Sequence, residues 1–146
     1  MNHLILFAHP NPKSFGSALC EKLKAFSESK GNKVVVRNLY AISFDPVLSA
    51  KDLSSLAQAK VPKDIAQEHA HIKEADHITF LYPVWWGGMP AILRGYIDRV
   101  FSEGFAYEYK DAETTGLLTG KKRLSFTPPE RPMKNMNNRA YMLPCS

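Results

Sequence analysis

Four short runs suited to strands, at residues 4–8, 34–36, 78–81 and 124–127, are separated by stretches with helical patterning. That alternation constrains the fold more than any other feature of the chain. The first run, Leu4-Ile5-Leu6-Phe7-Ala8, is apolar without a break, as in a strand buried on both faces of a parallel sheet. A turn follows over His9-Pro10-Asn11-Pro12-Lys13-Ser14. Phe15, Leu19, Leu23 and Phe26 then fall on one helical stripe, with Ser14 as N-cap and Gly31-Asn32 as the stop. Val34-Val35-Val36 completes a βαβ unit. Beyond the Asp45-Pro46 turn the pattern predicts a short helix over 49–59, a helix over 63–75 behind Pro62, and a third strand over 78–81. Ile92, Leu93, Tyr96, Ile97, Val100 and Phe101 form one face of a last helix. Pro90 at its start costs little, because the donor it lacks would be unpaired there anyway. The sum is a three-layer α/β domain with a parallel sheet, without internal repeat or linker. The loops after its first and third strands meet at a switch point, where such sheets bind nucleotides.

Composition narrows the function. The chain has 146 residues, enough for one domain with a substantial core, and 45% hydrophobic against 23% charged residues suits a soluble globular protein. Its apolar runs are too short to span a bilayer, and Met1-Asn2-His3 lacks the basic region of a signal peptide. A net charge of +5 is spread over scattered lysines with no basic stripe, which points away from nucleic acid. Cys20 and Cys145 show neither metal-ligand spacing nor a disulfide framework, so a cytoplasmic setting is expected.

Two loops carry the chemistry. Both tryptophans lie in Tyr82-Pro83-Val84-Trp85-Trp86-Gly87-Gly88-Met89-Pro90, between the third strand and the last helix. Indoles beside glycines at a strand end suit a flat aromatic ligand approached by backbone; they equally suit core or interface anchors. The other loop leads from His9 into the helix at Phe15. A helix N-terminus with Ser14, Ser17, Gly16, His9 and Lys13 around it suits a phosphate, and it is also an ordinary capped helix behind a proline-rich turn. It has neither a P-loop nor the Rossmann glycine pattern.

Taken together, Phe7-Ala8-His9-Pro10, Ser14-Phe15, Glu74-Ala75-Asp76 and above all the block from Tyr82 through Ile97-Asp98-Arg99-Val100-Phe101 to Gly104-Phe105-Ala106-Tyr107-Glu108-Tyr109 resemble the flavodoxin-like NAD(P)H:quinone oxidoreductases of the DT-diaphorase type. The resemblance covers roughly residues 3–127 and implies a flavodoxin-like three-layer sandwich with strand order 2-1-3-4. It implies a non-covalent flavin, FAD or FMN, with NAD(P)H as co-substrate and a quinone or similar electrophile as acceptor. By position, His9, Ser14, Phe15, Gly16 and Ala18 match the family's phosphate-holding residues. Pro83, Val84, Trp85, Trp86 and Gly87 match the loop along the isoalloxazine ring. Tyr107 and Tyr109 match residues lining the nicotinamide and quinone pocket, commonly across a homodimer interface; aromatic packing is their other reading. Gly16 and Gly87 stand where animal members have an asparagine and an aromatic, which implies a wider pocket.

From Pro128 the resemblance ends. Thr127-Pro128-Pro129-Glu130-Arg131-Pro132 stands where the family has a Thr-Thr-Gly turn, and residues 128–146 read as a divergent, irregular tail in place of a fifth strand. A neighbouring reading frame can encode the family turn at this point, so a frameshift is the expected origin of these nineteen residues. Without a fifth strand, the fourth is left as an exposed edge and flavin affinity is expected to weaken. Two other functions fit the same resemblance: an ancillary regulatory subunit of a potassium-efflux system, and an inactive truncated homologue.

Overall fold

The computed structural model describes residues 1–110 and 113–127; the segment 128–146, with the tail and the frameshift junction, lies outside them. Strand β1 (Asn2–Phe7) is followed by α1 (Phe15–Ser29), β2 (Lys33–Asn38), α2 (Ala50–Ala57), α3 (Lys63–Glu74), β3 (His77–Leu81) and α4 (Ala91–Val100). A hairpin of β4 (Tyr107–Lys110) and β5 (Glu113–Gly116) precedes β6 (Lys122–Phe126). The main sheet has the order β2-β1-β3-β6, all parallel, with Leu4 opposite Val35 on one side and Ile78 on the other. The hairpin shifts the strand numbers; the sheet itself is the predicted 2-1-3-4 arrangement with β6 as its fourth strand, in an α/β flavodoxin-like fold.

The period of two along β1 divides the core. Leu4, Leu6 and Ala8 face Ile72, Leu93, Tyr96 and Val100 of α3 and α4. Ile5 and Phe7 face Cys20 of α1. The buried side of α1 is Gly16, Cys20 and Ser27, with Leu19 and Leu23 packed beside it. Phe15 and Phe26, the ends of the predicted stripe, are exposed. The helix is turned so that its small residues approach the sheet, and Ser27 bonds the His3 ring of β1 at 2.8 Å.

Two ionic clusters lie on the α3–α4 side. Arg99 of α4 reaches Asp52 of α2 at 3.1 Å, Asp64 of α3 at 2.8 Å and the Asp45 carbonyl at 2.8 Å. Burial pushes the Asp52 carboxyl up, but the bonds from Arg99 and Ser49 outweigh it and hold the group below its ordinary value. The same Asp52 closes the capping box of α2 with Ser49. Arg37 of β2 pairs with Glu68 of α3, which also accepts the Tyr96 hydroxyl of α4 at 3.1 Å. At Gly95 the Pro46 backbone crosses so closely that a Cβ would lie 2.1 Å from the Pro46 oxygen.

Candidate functional site

The chain reverses its winding between β1 and β3, whose C-terminal ends are tied by Ala8 N–H donating to the Leu81 carbonyl at 3.0 Å. The loops after both strands flank the crevice at that point, and the rings of His9 and Trp85 meet edge to face across it, centroids 6.0 Å apart.

The first loop is fixed by its own bonds. His9 Nδ1 accepts the Asn11 N–H at 3.0 Å, which puts the proton of the neutral ring on Nε2. The Asn11 carbonyl accepts the Ser14 N–H and the Ser17 hydroxyl; Ser14 Oγ accepts the Ser17 N–H at 3.1 Å and lies 2.9 Å from Ser17 Oγ. Both hydroxyls anticipated as phosphate ligands are therefore engaged within the loop. The amides of Phe15 and Gly16, at the positive end of α1, have no acceptor among the described residues. Gly16 is buried, yet a Cβ there would lie 3.6 Å from Phe7 and 3.7 Å from Ser14 Oγ, ordinary contact distances. Packing within the protein does not demand glycine at this position. Ala18 is exposed, with its amide returned to the Ser14 carbonyl in the first helical turn.

The second loop is a tight turn. Trp85 N–H donates to the Gly88 carbonyl at 2.9 Å and Gly88 N–H to the Trp85 carbonyl at 3.0 Å. Trp86 and Gly87 between them have φ of 55° and 76°, the signature of a type I′ turn. Glycine suits that conformation; tryptophan is strained in it by about 1 kcal/mol. Backbone strain at a crevice is where ligand contact is expected. Trp86 is 75% exposed and Trp85 41%, so neither is a core anchor. Pro83 and Val84 are half-buried, and a Cβ at Gly87 would meet nothing within 4 Å.

Tyr107 and Tyr109 stand apart from both loops. On β4 they share one face, ring centroids 5.5 Å apart. Tyr107 lines a groove with Leu48, Leu53 and Leu56 on the α2 side and Asp98 and Glu103 beside α4. Limited burial, Tyr109 and Glu103 together raise its hydroxyl pKa. Sequence reasoning placed these tyrosines but missed the hairpin; the alternation in Tyr107-Glu108-Tyr109-Lys110 was its available signal.

An open parallel sheet, reversed between β1 and β3, with a helix N-terminus on one side of the crevice and an aromatic turn on the other, defines a doubly wound α/β protein. The family model described as "Flavodoxin-like fold" matches residues 1–138, and the chain belongs to that family. A relative from Haemophilus influenzae, named an uncharacterized NAD(P)H oxidoreductase, is 48% identical over 127 residues, 86% of this chain and 63% of the relative. NAD(P)H dehydrogenase (quinone) 1 of Cavia porcellus is 37% identical, over 82% of this chain and 50% of its own. The solved NAD(P)H:quinone oxidoreductase of Methanothermobacter marburgensis superposes with a TM-score of 0.78 at 34% identity, covering 87% of this chain and 66% of that one. The chain thus spans between half and about two thirds of the length of these relatives.

Proposed function

We propose that this protein is a flavin-dependent NAD(P)H:quinone oxidoreductase that moves two electrons, as hydride, from NAD(P)H by way of FAD or FMN to a quinone or related electrophile. The observation that carries the reading is the pair of unengaged amides at Phe15 and Gly16 facing a crevice whose other wall is the Trp85–Gly88 turn. That donor set suits the phosphate of a flavin on one side and its flat ring on the other. The names of the relatives, which concern NAD(P)H and quinones, point the same way.

In this reading the Phe15 and Gly16 amides and the α1 dipole bind the phosphate, with His9 Nε2–H as a further donor at its edge. The Trp85–Gly88 turn would hold the ring, with the Gly87 amide, which has no acceptor among the described residues, as a donor to it and Trp86 as a cover against water. A bound flavin supplies the redox chemistry, accepting hydride from one substrate and returning electrons to the next. Fixed backbone donors in both loops would hold negative charge in place without reorganising. Tyr107 and Tyr109, side by side on the β4–β5 hairpin, donate hydrogen bonds to the acceptor from the other subunit of a homodimer. Among the described residues no helix is long and apolar enough to cross a membrane; the reading of a cytoplasmic enzyme rests on two cysteines without a disulfide framework.

The test is an absorbance spectrum of the freshly purified protein, then anaerobic addition of NADH or NADPH. A flavin band that bleaches is the expected result. Protein that stays colourless after incubation with FAD and with FMN overturns the proposal.

A further inference from the structure

Between α4 and β6 the chain leaves the sheet and returns, carrying Tyr107 and Tyr109 on the hairpin at its middle. Helix α3 holds both ends of this excursion. At the outgoing end, His69 Nε2–H donates to the Val100 carbonyl at 2.8 Å, satisfying one of the last carbonyls of α4. The same ring lies flat on Phe105, centroids 3.5 Å apart and planes within 8°. Aromatic pairs left to themselves prefer offset or edge-on arrangements. The His69 plane is therefore set by its bond to Val100, and Phe105 conforms to it. Lys73, one turn further along α3, stands 5.8 Å from the Phe105 ring centroid.

At the returning end, Lys121 Nζ donates to the carbonyls of Lys73 at 2.9 Å and Ala75 at 2.7 Å, closing the C-terminus of α3. Short backbone bonds carry the position of Phe105 into the hairpin. Phe105 and Ala106 N–H both reach the Ser102 carbonyl, Gly104 N–H donates to the Tyr107 carbonyl at 2.8 Å, and Leu117 N–H to the Ala106 carbonyl at 2.8 Å.

We infer that His69 is a positioning residue for the tyrosine hairpin: through Phe105 it sets the angle at which Tyr107 and Tyr109 leave the domain, while Lys121 fixes the return. The bond and the ring contact of His69 lie at Val100 and Phe105, not in the crevice loops, so its effect falls on the pocket the two tyrosines line, for nicotinamide and acceptor alike. That consequence rests on the proposed role of the two tyrosines.

The experiment uses the full chain, with His69→Phe keeping the stack without the donor and His69→Gln keeping an amide donor without the stack. Lys121→Met, which keeps the stem and removes the charge, tests the return should both His69 variants fail to fold. Residue-resolved amide hydrogen exchange is read first, since it needs neither flavin nor turnover. Each variant is expected to speed exchange at Glu108, Thr115 and Leu117, whose amides the hairpin ladder holds, about tenfold, with the β1–β3 amides unchanged. The KM values for benzoquinone and for NAD(P)H are each expected to rise about fivefold while flavin affinity, which the crevice loops set, is unchanged. Unchanged hairpin exchange, or acceleration shared equally by the central sheet, makes His69 an ordinary core residue and overturns the inference. Hairpin exchange that rises with the KM values unmoved leaves the positioning intact and overturns the pocket role of the tyrosines.

Discussion

Against α3 and α4 the sheet packs a broad apolar layer sealed by ion pairs, Arg99 with Asp52 and Asp64 and Arg37 with Glu68. Against α1 it packs a smaller cluster, Ile5, Phe7, Cys20 and Leu81 with Leu19, Leu23, Val34 and Val36 half-buried beside them, and a neutral polar contact from His3 to Ser27 and Thr79. Buried ion pairs are weak sources of net stability, yet breaking one leaves a stranded charge. They fix how α2, α3 and α4 sit on one another and thereby where α4 begins, which is where the tryptophan turn ends. The α1 side needs less specification, because its functional part is backbone: two amides at a helix start.

Substitutions test that contrast. Arg99→Ala strands the Asp52 carboxylate and should cost about 3–5 kcal/mol, read as a fall in the denaturant midpoint. Gly95→Ala drives a methyl into the Pro46 backbone and should cost about 3 kcal/mol by the same measurement. Cys20→Ala on the α1 side removes one buried sulfur and should cost only about 1 kcal/mol. If it matched Arg99→Ala, the contrast between the faces would collapse.

Acid should weaken both faces. Burial lowers the pKa of His69, with Val100 opposing and Lys73 assisting; burial and His77 lower that of His3. A depressed folded-state pKa means a contribution fully present above the unfolded value of about 6.5 and lost as pH falls through the folded one. The melting temperature should therefore drop as pH falls below about 6.5, and His69→Gln and His3→Gln should each flatten that slope. The smallest effect is expected at the turn: Trp86→Asn, better suited to positive φ, should shift stability by under about 1 kcal/mol. Flavin affinity, read by fluorescence titration, should nevertheless fall severalfold. A large stability loss would mean that Trp86 belongs to the core rather than to the site.

The parts of the molecule written in neighbouring residues were readable in advance. An unbroken apolar run marked β1, the mostly apolar Ile78-Thr79-Phe80-Leu81 marked β3, Ser14 and Pro90 marked helix starts, and glycines beside Trp85 and Trp86 marked a loop that proves to be a tight turn. The ionic clusters were not readable, because Arg99 and Asp52 are 47 positions apart and Glu68 lies 31 from Arg37. Nothing local says that a charge on an apolar helix face will find its partner. The face of α1 was misjudged at Phe15 and Phe26 because size suggested burial, whereas close approach to the sheet favoured Gly16, Cys20 and Ser27. In the first loop, residue types suggested serine hydroxyls as ligands, but only the bonding pattern showed the Ser17 hydroxyl spent on Asn11, the Ser14 hydroxyl on Ser17, and the Phe15 and Gly16 amides without an acceptor among the described residues.

The adjacency of β1 and β3 has a consequence for synthesis. Both walls of the crevice, and the helices covering the strands beneath them, are encoded before Phe101; the hairpin and β6 come later. Because domains begin to fold as they are made, a nascent chain ending near that residue already holds everything that would grip a phosphate and a flat ring. Cofactor present during translation could therefore bind and steady the half-made domain, and the tyrosine hairpin would be fitted onto a crevice already filled.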